Sequence, residues 1–269
     1  MITSPGNARM KAVMQMKQKA KVRRETDAFL AEGIKMFLEA PTERIREVYI
    51  SESFSCPDKK LEAAVREKLD RELGREQKEV VSREVFDKIS ATCSPQGILC
   101  VMKAYHYTLS DLLQKEAPLL LLLENIQDPG NLGTMLRTGE GAGIDGVILS
   151  ADSADMGNPK TVRSTMGSVY RVPFLYTESL PDTIKTLQDR GIRIFAAHLQ
   201  GETDYDACDY KGGSAFLIGN ESKGLKPETA ALADQYMKIP MKGAVESLNA
   251  GIAAALLMYE AARQRRKSK

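Results

Sequence analysis

Five compact polar or charged side chains of this sequence stand beside glycines in segments far apart along the chain. Asn131 and Arg137 lie in 124–138 (ENIQDPGNLGTMLRT), Glu221 lies in 217–225 (LIGNESKGL), and Ser247 and Asn249 lie in 239–258 (IPMKGAVESLNAGIAAALLM). Hydrogen-bonding groups beside glycine turns suit the holding of a small molecule. Each residue also has an ordinary local explanation. Asn131 at a helix start is an N-cap, Arg137 a surface charge, Glu221 an acid favoured near a helix N-terminus, and Ser247 and Asn249 caps of the last helix. The setting favours a site, because turns after the C-terminal ends of parallel strands are where ligands sit in such sheets.

The elements that must position these residues are legible. Apolar runs at 119–123, 147–149, 194–197 and 215–218 alternate with helical segments, as in a parallel sheet with helical crossovers. A helix is expected from 132 to 141. Ile239-Pro240-Met241 reads as a short strand-like start before a turn at 242–244. The helix that follows has apolar positions 250, 253, 254, 257, 258 and 261 at helical spacing, with Ile252, Ala255 and Leu256 filling most of the rest, so it is expected to be buried all round. Before residue 105 the reading is helices over 8–20 and 25–40, a strand at 48–50, a helix over 58–73, a strand at 79–81, a short helix over 82–89 and a strand at 98–102. The division is 1–105 as a small α/β domain, 106–116 as a linker and 117–269 as the parallel-sheet domain. Gly141-Ala142-Gly143-Ile144-Asp145-Gly146 matches the dinucleotide pattern G-x-G-x-x-G, but a helix precedes it and a strand follows. That order is the reverse of what a pyrophosphate site needs, so these glycines end a helix instead, and a nucleotide-dependent oxidoreductase is disfavoured.

Composition narrows the classes further. The chain has 269 residues, 43% of them hydrophobic, and a net charge of only +2. Yet Arg9, Lys11, Lys17, Lys19, Lys21, Arg23 and Arg24 occur without an acid in the first 24 residues, and Arg263, Arg265, Arg266, Lys267 and Lys269 close the sequence. Two basic ends on a neutral body suggest a polyanion partner, with a solvated face and tail as the alternative. Four cysteines and two histidines offer no zinc spacing and fit a reducing, cytoplasmic setting. No stretch approaches the roughly 18 apolar residues of a membrane span.

Taken together and in this order, the segments resemble the motifs of the SpoU (TrmH-like) RNA ribose 2′-O-methyltransferases of the SPOUT superfamily. The likeness rests on Asn131 and Arg137, then Gly219, Asn220, Glu221 and Gly224, then Ser247, Leu248 and Asn249, and covers roughly 117–265. The N-terminal part is similar to the family's ribosomal-protein-like substrate-binding domain through ITSPGNARMKAV, the Lys/Arg run, FLAEG at 29–33 and SPQGILCVMK. Ser222 stands where a glycine is common, and Ala250-Gly251 where Val-Ser is frequent.

The resemblance implies a trefoil knot in the C-terminal parallel-sheet domain, a rare exception to unknotted topology. It implies S-adenosylmethionine bound at Gly219, Asn220, Ile239, Met241 and Leu248, a homodimer, and no metal. Catalytic roles fall to Arg137, Asn131, Glu221, Ser247 and Asn249. The substrate is structured RNA, with 23S ribosomal RNA expected. A tRNA ribose, or a non-catalytic RNA-binding assembly factor on the same fold, are the other readings. Lys17, Lys19, Lys21, Arg23 and Arg24 are expected to contact RNA phosphates. The family's accounts give the hydroxyl proton to the arginine, but a guanidinium is a poor base near neutrality. A phosphate clamp that polarises the 2′-OH suits it better.

Overall fold

The computed structural model describes residues 1–56 and 58–267; Lys269 of the basic run lies outside them. The chain forms two compact units. One is Met1–Tyr105 with Asp155–Tyr170, and the other is His106–Ala154 with everything from Arg171 onward.

In the first unit, β1 (Ala28–Glu32), β2 (Ile45–Ser51), β3 (Lys78–Val81) and β4 (Ile98–Lys103) form a sheet ordered β1-β4-β2-β3. Strand β4 runs antiparallel to β1 and β2, whereas β3 is parallel to β2. The helices are α1 (Ala8–Gln18), α2 (Ala20–Glu25), α3 (Ile34–Glu39), α4 (Lys59–Arg71) and α5 (Arg83–Ile89). Met10, Val13 and Met16 of α1 pack with Tyr49, Val85, Phe86 and Ile89 in one core. Two expectations need correction. The helix over 8–20 breaks at Lys19, whose backbone is extended (φ −120°, ψ 117°). The helix expected over 25–40 is strand β1 followed by the short α3. Asp27 (φ 49°) and Gly33 (φ 110°) lie in the left-handed region and interrupt any helix on both sides. Between them all five residues of β1 pair with β4, so tertiary pairing overrides local helix propensity.

In the second unit, β5 (Leu119–Leu123), β6 (Gly146–Ser150), β7 (Phe174–Thr177), β8 (Arg193–Ala197), β9 (Thr203–Asp204), β10 (Ser214–Ile218) and β11 (Gln235–Lys238) form one sheet ordered β7-β6-β5-β10-β8-β11-β9. Every neighbouring pair is parallel, as the alternation of strands and helices predicts. The helices are α6 (Leu109–Leu112), inside the expected linker, and α7 (Pro129–Ala142). Next in the chain comes α8 (Pro159–Thr165), which belongs to the first unit. Then come α9 (Leu180–Gln188), α10 (Pro227–Ala230) and α11 (Ala250–Lys267). Leu120, Leu122, Ile148, Ile194, Ala215 and Leu217 make a core with Leu180, Ile184 and Leu187 of α9. Gly143 caps α7 at φ 80°, so those glycines do end a helix.

Strand β11 ends at Lys238, and Ile239-Pro240-Met241 is irregular rather than strand-like. Pro240 has no N–H to give a ladder.

The last helix also differs from expectation. Ala254, Leu257, Met258 and Ala261 are fully buried, but Ile252 and Tyr259 are 51% and 47% exposed. Its buried face packs closely on α7, where a Cβ on Gly139 would meet Ile144 Cδ1 at 2.3 Å and Met258 Sδ at 3.4 Å. Its end is strapped by Arg265, whose guanidinium donates to the carbonyls of Tyr210, Ala117, Pro118 and Gly212 at 2.9, 2.8, 3.3 and 2.7 Å. That arginine of the basic end therefore serves the fold.

Candidate active site

The C-terminal ends of β5 and β10 lie side by side in the sheet. Strand β5 is five consecutive buried leucines, and it ends in a buried acid, Glu124. Asn125 then turns the chain with φ 53°, a region that asparagine tolerates better than most residues. Its N–H donates to Ser150 Oγ at 2.8 Å, which ties this turn to the end of β6.

Asp128, not Asn131, is the N-cap of α7. Its carboxylate accepts the Asn131 N–H at 2.8 Å, and Pro129 follows at the first turn. The Asn131 side chain is thereby left for other partners. Its Nδ2 donates to Glu221 Oε1 at 3.1 Å, and its Oδ1 accepts from Asn249 Nδ2 at 3.0 Å.

Glu221 joins the first two segments. Besides Asn131 it accepts the backbone N–H groups of Gln127 and Asp128, both at 3.1 Å. Burial alone would raise its pKa, but the Asn131 amide and these backbone donors outweigh burial and hold the carboxyl below its ordinary value. Its loop is folded tightly on itself: Asn220 and Gly224 exchange backbone hydrogen bonds at 3.0 and 2.9 Å. A Cβ on Gly219 would lie 2.3 Å from the Gly224 carbonyl carbon and the Leu225 nitrogen, so only glycine fits there. Asn220 accepts from the Ser222 and Lys223 N–H groups, both at 3.0 Å, and donates to the Asn125 carbonyl at 2.7 Å. Ser222, where the resemblance leads one to expect glycine, is exposed and fits this turn.

Asn249 brings in the third segment. Its Oδ1 caps α11 by accepting from Gly251 N at 2.9 Å and Ile252 N at 3.3 Å, while its Nδ2 reaches Asn131. Asn131, Glu221 and Asn249 are thus one hydrogen-bonded chain. Arg137 and Ser247 are not part of it. Both are exposed and bond to no other side chain among the described residues. Ile239, Met241 and Leu248 are half-buried, in an otherwise exposed irregular stretch that follows β11.

Among the expected RNA contacts, Lys19, Lys21 and Arg24 are exposed. Lys17 is instead bonded to the carbonyls of Lys88 and Ser90 at 2.6 and 2.8 Å, where it caps the end of α5. Arg23 is buried. Its Nε and Nη2 bind Asp155 at 2.8 and 2.6 Å, and its Nη1 donates to the Met16 carbonyl at 2.7 Å. Its guanidinium is needed by the fold and is withdrawn from the RNA-facing set.

The residues fit a nucleoside methyl donor: apolar Ile239, Met241 and Leu248 can wall an adenine, and the Gly219–Gly224 turn offers backbone groups. A parallel α/β sheet with these three segments at its strand ends is the arrangement expected of an S-adenosylmethionine-dependent RNA ribose 2′-O-methyltransferase. Residues 118–259 match the SpoU rRNA Methylase family and 7–100 the MRM3-like substrate binding domain. The chain belongs to the SpoU rRNA methylase family. It is 31% identical to the 23S rRNA (guanosine(2553)-2′-O)-methyltransferase RlmP of Bacillus subtilis over 96% of this chain and 97% of that protein. An AdoMet-bound rRNA methyltransferase from Sinorhizobium meliloti superposes with a TM-score of 0.82 at 31% identity, covering 97% of both chains. The SpoU methyltransferase AviRb from Streptomyces viridochromogenes, in complex with AdoMet, gives 0.87 at 25% identity over 97% of this chain and 98% of that one.

Proposed function

We propose that the target of this methyltransferase is a ribose 2′-OH of 23S ribosomal RNA. Support for that RNA comes from RlmP and from the 23S rRNA (guanosine-2′-O-)-methyltransferase RlmB of Shewanella oneidensis, 33% identical over 70% of this chain. Both names specify guanosine, so a guanosine ribose is the first position to map.

The observation that carries the catalytic assignment is the Glu221–Asn131–Asn249 chain at the base of α7, the helix that displays Arg137. S-adenosylmethionine supplies an electrophilic methyl group. What this chain must do is hold the acceptor hydroxyl in line with it, which accounts for much of the acceleration in such displacements. Arg137 clamps a phosphate of the target nucleotide and stabilises charge that develops on the 2′ oxygen. That oxygen takes the methyl as the carbon–sulfur bond breaks to leave S-adenosylhomocysteine, and the hydroxyl proton passes to the clamped phosphate or to water. Ser247, exposed in the irregular stretch before α11, contacts the bound substrates, while Glu221 and Asn249 keep Asn131 oriented toward them.

Lys19, Lys21 and Arg24 supply non-specific phosphate affinity in the substrate-binding domain. Ile252, Leu256 and Tyr259 share one stripe of α11 and form the contact of a homodimer; Ile252 and Tyr259 are its exposed members. A trefoil knot around the 219–249 stretch and a cytoplasmic location complete the reading. No described helix is long and apolar enough to cross a membrane.

The test is to map 2′-O-methyl groups in ribosomal RNA and tRNA with and without the gene. Loss of one 23S ribose methyl, restored by wild-type protein and not by Arg137→Ala, is the expected outcome. A site lost from tRNA alone would overturn the choice of RNA.

A further inference from the structure

Glu124 is a carboxylate in the interior of the second unit, only 3% exposed. Both of its oxygens are taken by the segment that leaves the Glu221 loop. Oε2 accepts the Lys226 N–H at 2.8 Å, and Oε1 accepts the hydroxyl of Thr229, itself 1% exposed, at 2.6 Å. The Glu124 N–H donates in turn to the Ile218 carbonyl at 2.9 Å, immediately before the loop begins. The next residue, Asn125, holds Asn220 through its carbonyl at 2.7 Å. Two consecutive residues at the end of β5 therefore grip both ends of the 219–226 loop.

An apolar residue could have ended this strand. A buried carboxylate is costly unless each oxygen is satisfied, and here each is, by donors from one short stretch. Such an arrangement fixes distance and direction together, because a charged acceptor shortens and aligns its hydrogen bonds.

We propose that Glu124 is a positioning residue for methyl transfer. Its clamp on Lys226 and Thr229 sets the Glu221 loop, and through Glu221 it sets Asn131 and the Gly219 turn. The proposal rests on the reading of Gly219 and Glu221 as site residues.

Thr229→Val removes the hydroxyl at constant shape, Thr229→Ser keeps it, and Glu124→Gln neutralises the acceptor. Amide exchange is read at Gln127 and Asp128, whose N–H groups report the position of Glu221 directly. Affinity for S-adenosylhomocysteine is read by calorimetry, and kcat and KM for RNA are measured on folded protein. Thr229→Val and Glu124→Gln should speed exchange at 127 and 128 about fivefold or more and weaken S-adenosylhomocysteine binding by a similar factor. They should lower kcat with little change in KM for RNA and leave the β6 amides as in wild type. Thr229→Ser should return all three to within about twofold of wild type. A bond that only supports the fold would lower the urea midpoint and leave exchange at 127 and 128 and the affinity unchanged; that result overturns the proposal. Wild-type protein that bound no S-adenosylhomocysteine would sink the functional reading, and the exchange rates would still decide the clamp.

Discussion

The Asn249 amide donates to Asn131 Oδ1 at 3.0 Å across 118 residues of sequence. Because the Asn131 amide nitrogen already donates to Glu221, both ends of that side chain are committed and its orientation is fixed. An aspartate at 131 has the same shape but places a second carboxylate oxygen against Glu221. Asn131→Asp should lower kcat about a hundredfold, whereas affinity for RNA, which we propose rests on the N-terminal domain, should stay near wild type. Single-turnover methylation with saturating RNA checks this. Activity within a factor of a few would mean that the amide does not orient the reactants.

Glu221 gives the network a pH signature. Burial opposes its ionisation, but Asn131 and the backbone donors prevail, so its folded pKa lies below the ordinary 4.5. A carboxyl whose pKa is depressed by folding stabilises the protein fully above the ordinary value, and the contribution is lost as pH falls through the depressed one. The gap in urea midpoint between wild type and Glu221→Gln should therefore be widest near neutrality and close on acidification below about pH 4. A gap that widened in acid would contradict the bonding described.

For Arg137, the decisive comparison is between charge and shape. A fork that grips phosphate in two places is not replaced by an ammonium. Arg137→Lys should lose about two orders of magnitude in kcat/KM, and Arg137→Ala about three. If lysine restored most of the turnover, a point charge would suffice. If alanine kept wild-type turnover, the assignment of this site would fail.

The basic N-terminal run divides into two sets with opposite readouts. Reversing the charge of Lys19, Lys21 and Arg24 should raise the KM for RNA severalfold, flatten its salt dependence and leave S-adenosylmethionine affinity unchanged. Arg23→Ala removes one partner of a largely buried pair and should cost about 2–3 kcal/mol of stability. Denaturant titration and filter binding at several salt concentrations separate the two. Equal loss of stability from both sets would refute the division.

What the sequence disclosed, and what it did not, follows from the range of the forces involved. The five leucines of β5 and the glycines after α7 announce themselves locally, since burial on both faces and left-handed capping each leave a mark on a few adjacent residues. Asn131, Glu221 and Asn249 are legible as candidates only through the combination of three separate segments. Their hydrogen-bonded chain depends on sheet order, which no local pattern carries. Residues 28–32 misled because Phe-Leu-Ala-Glu suits a helix equally well, and only pairing with β4 decides. Arg23 and Arg265 misled for a related reason: a basic residue looks the same whether it meets a phosphate or its own chain's carbonyls. Glu124 did leave a signal, an acid placed directly after five buried leucines.

The Asp155–Tyr170 excursion has a consequence for the order in which the protein is made. Arg23 is synthesised early, and its carboxylate partner arrives 132 residues later, after β5 and β6 of the other unit have already been translated. The first unit therefore cannot reach its final packing as an independent N-terminal piece, in contrast to the usual vectorial folding of domains on the ribosome. Until Asp155 emerges, Arg23 lacks the carboxylate that neutralises it in the folded protein.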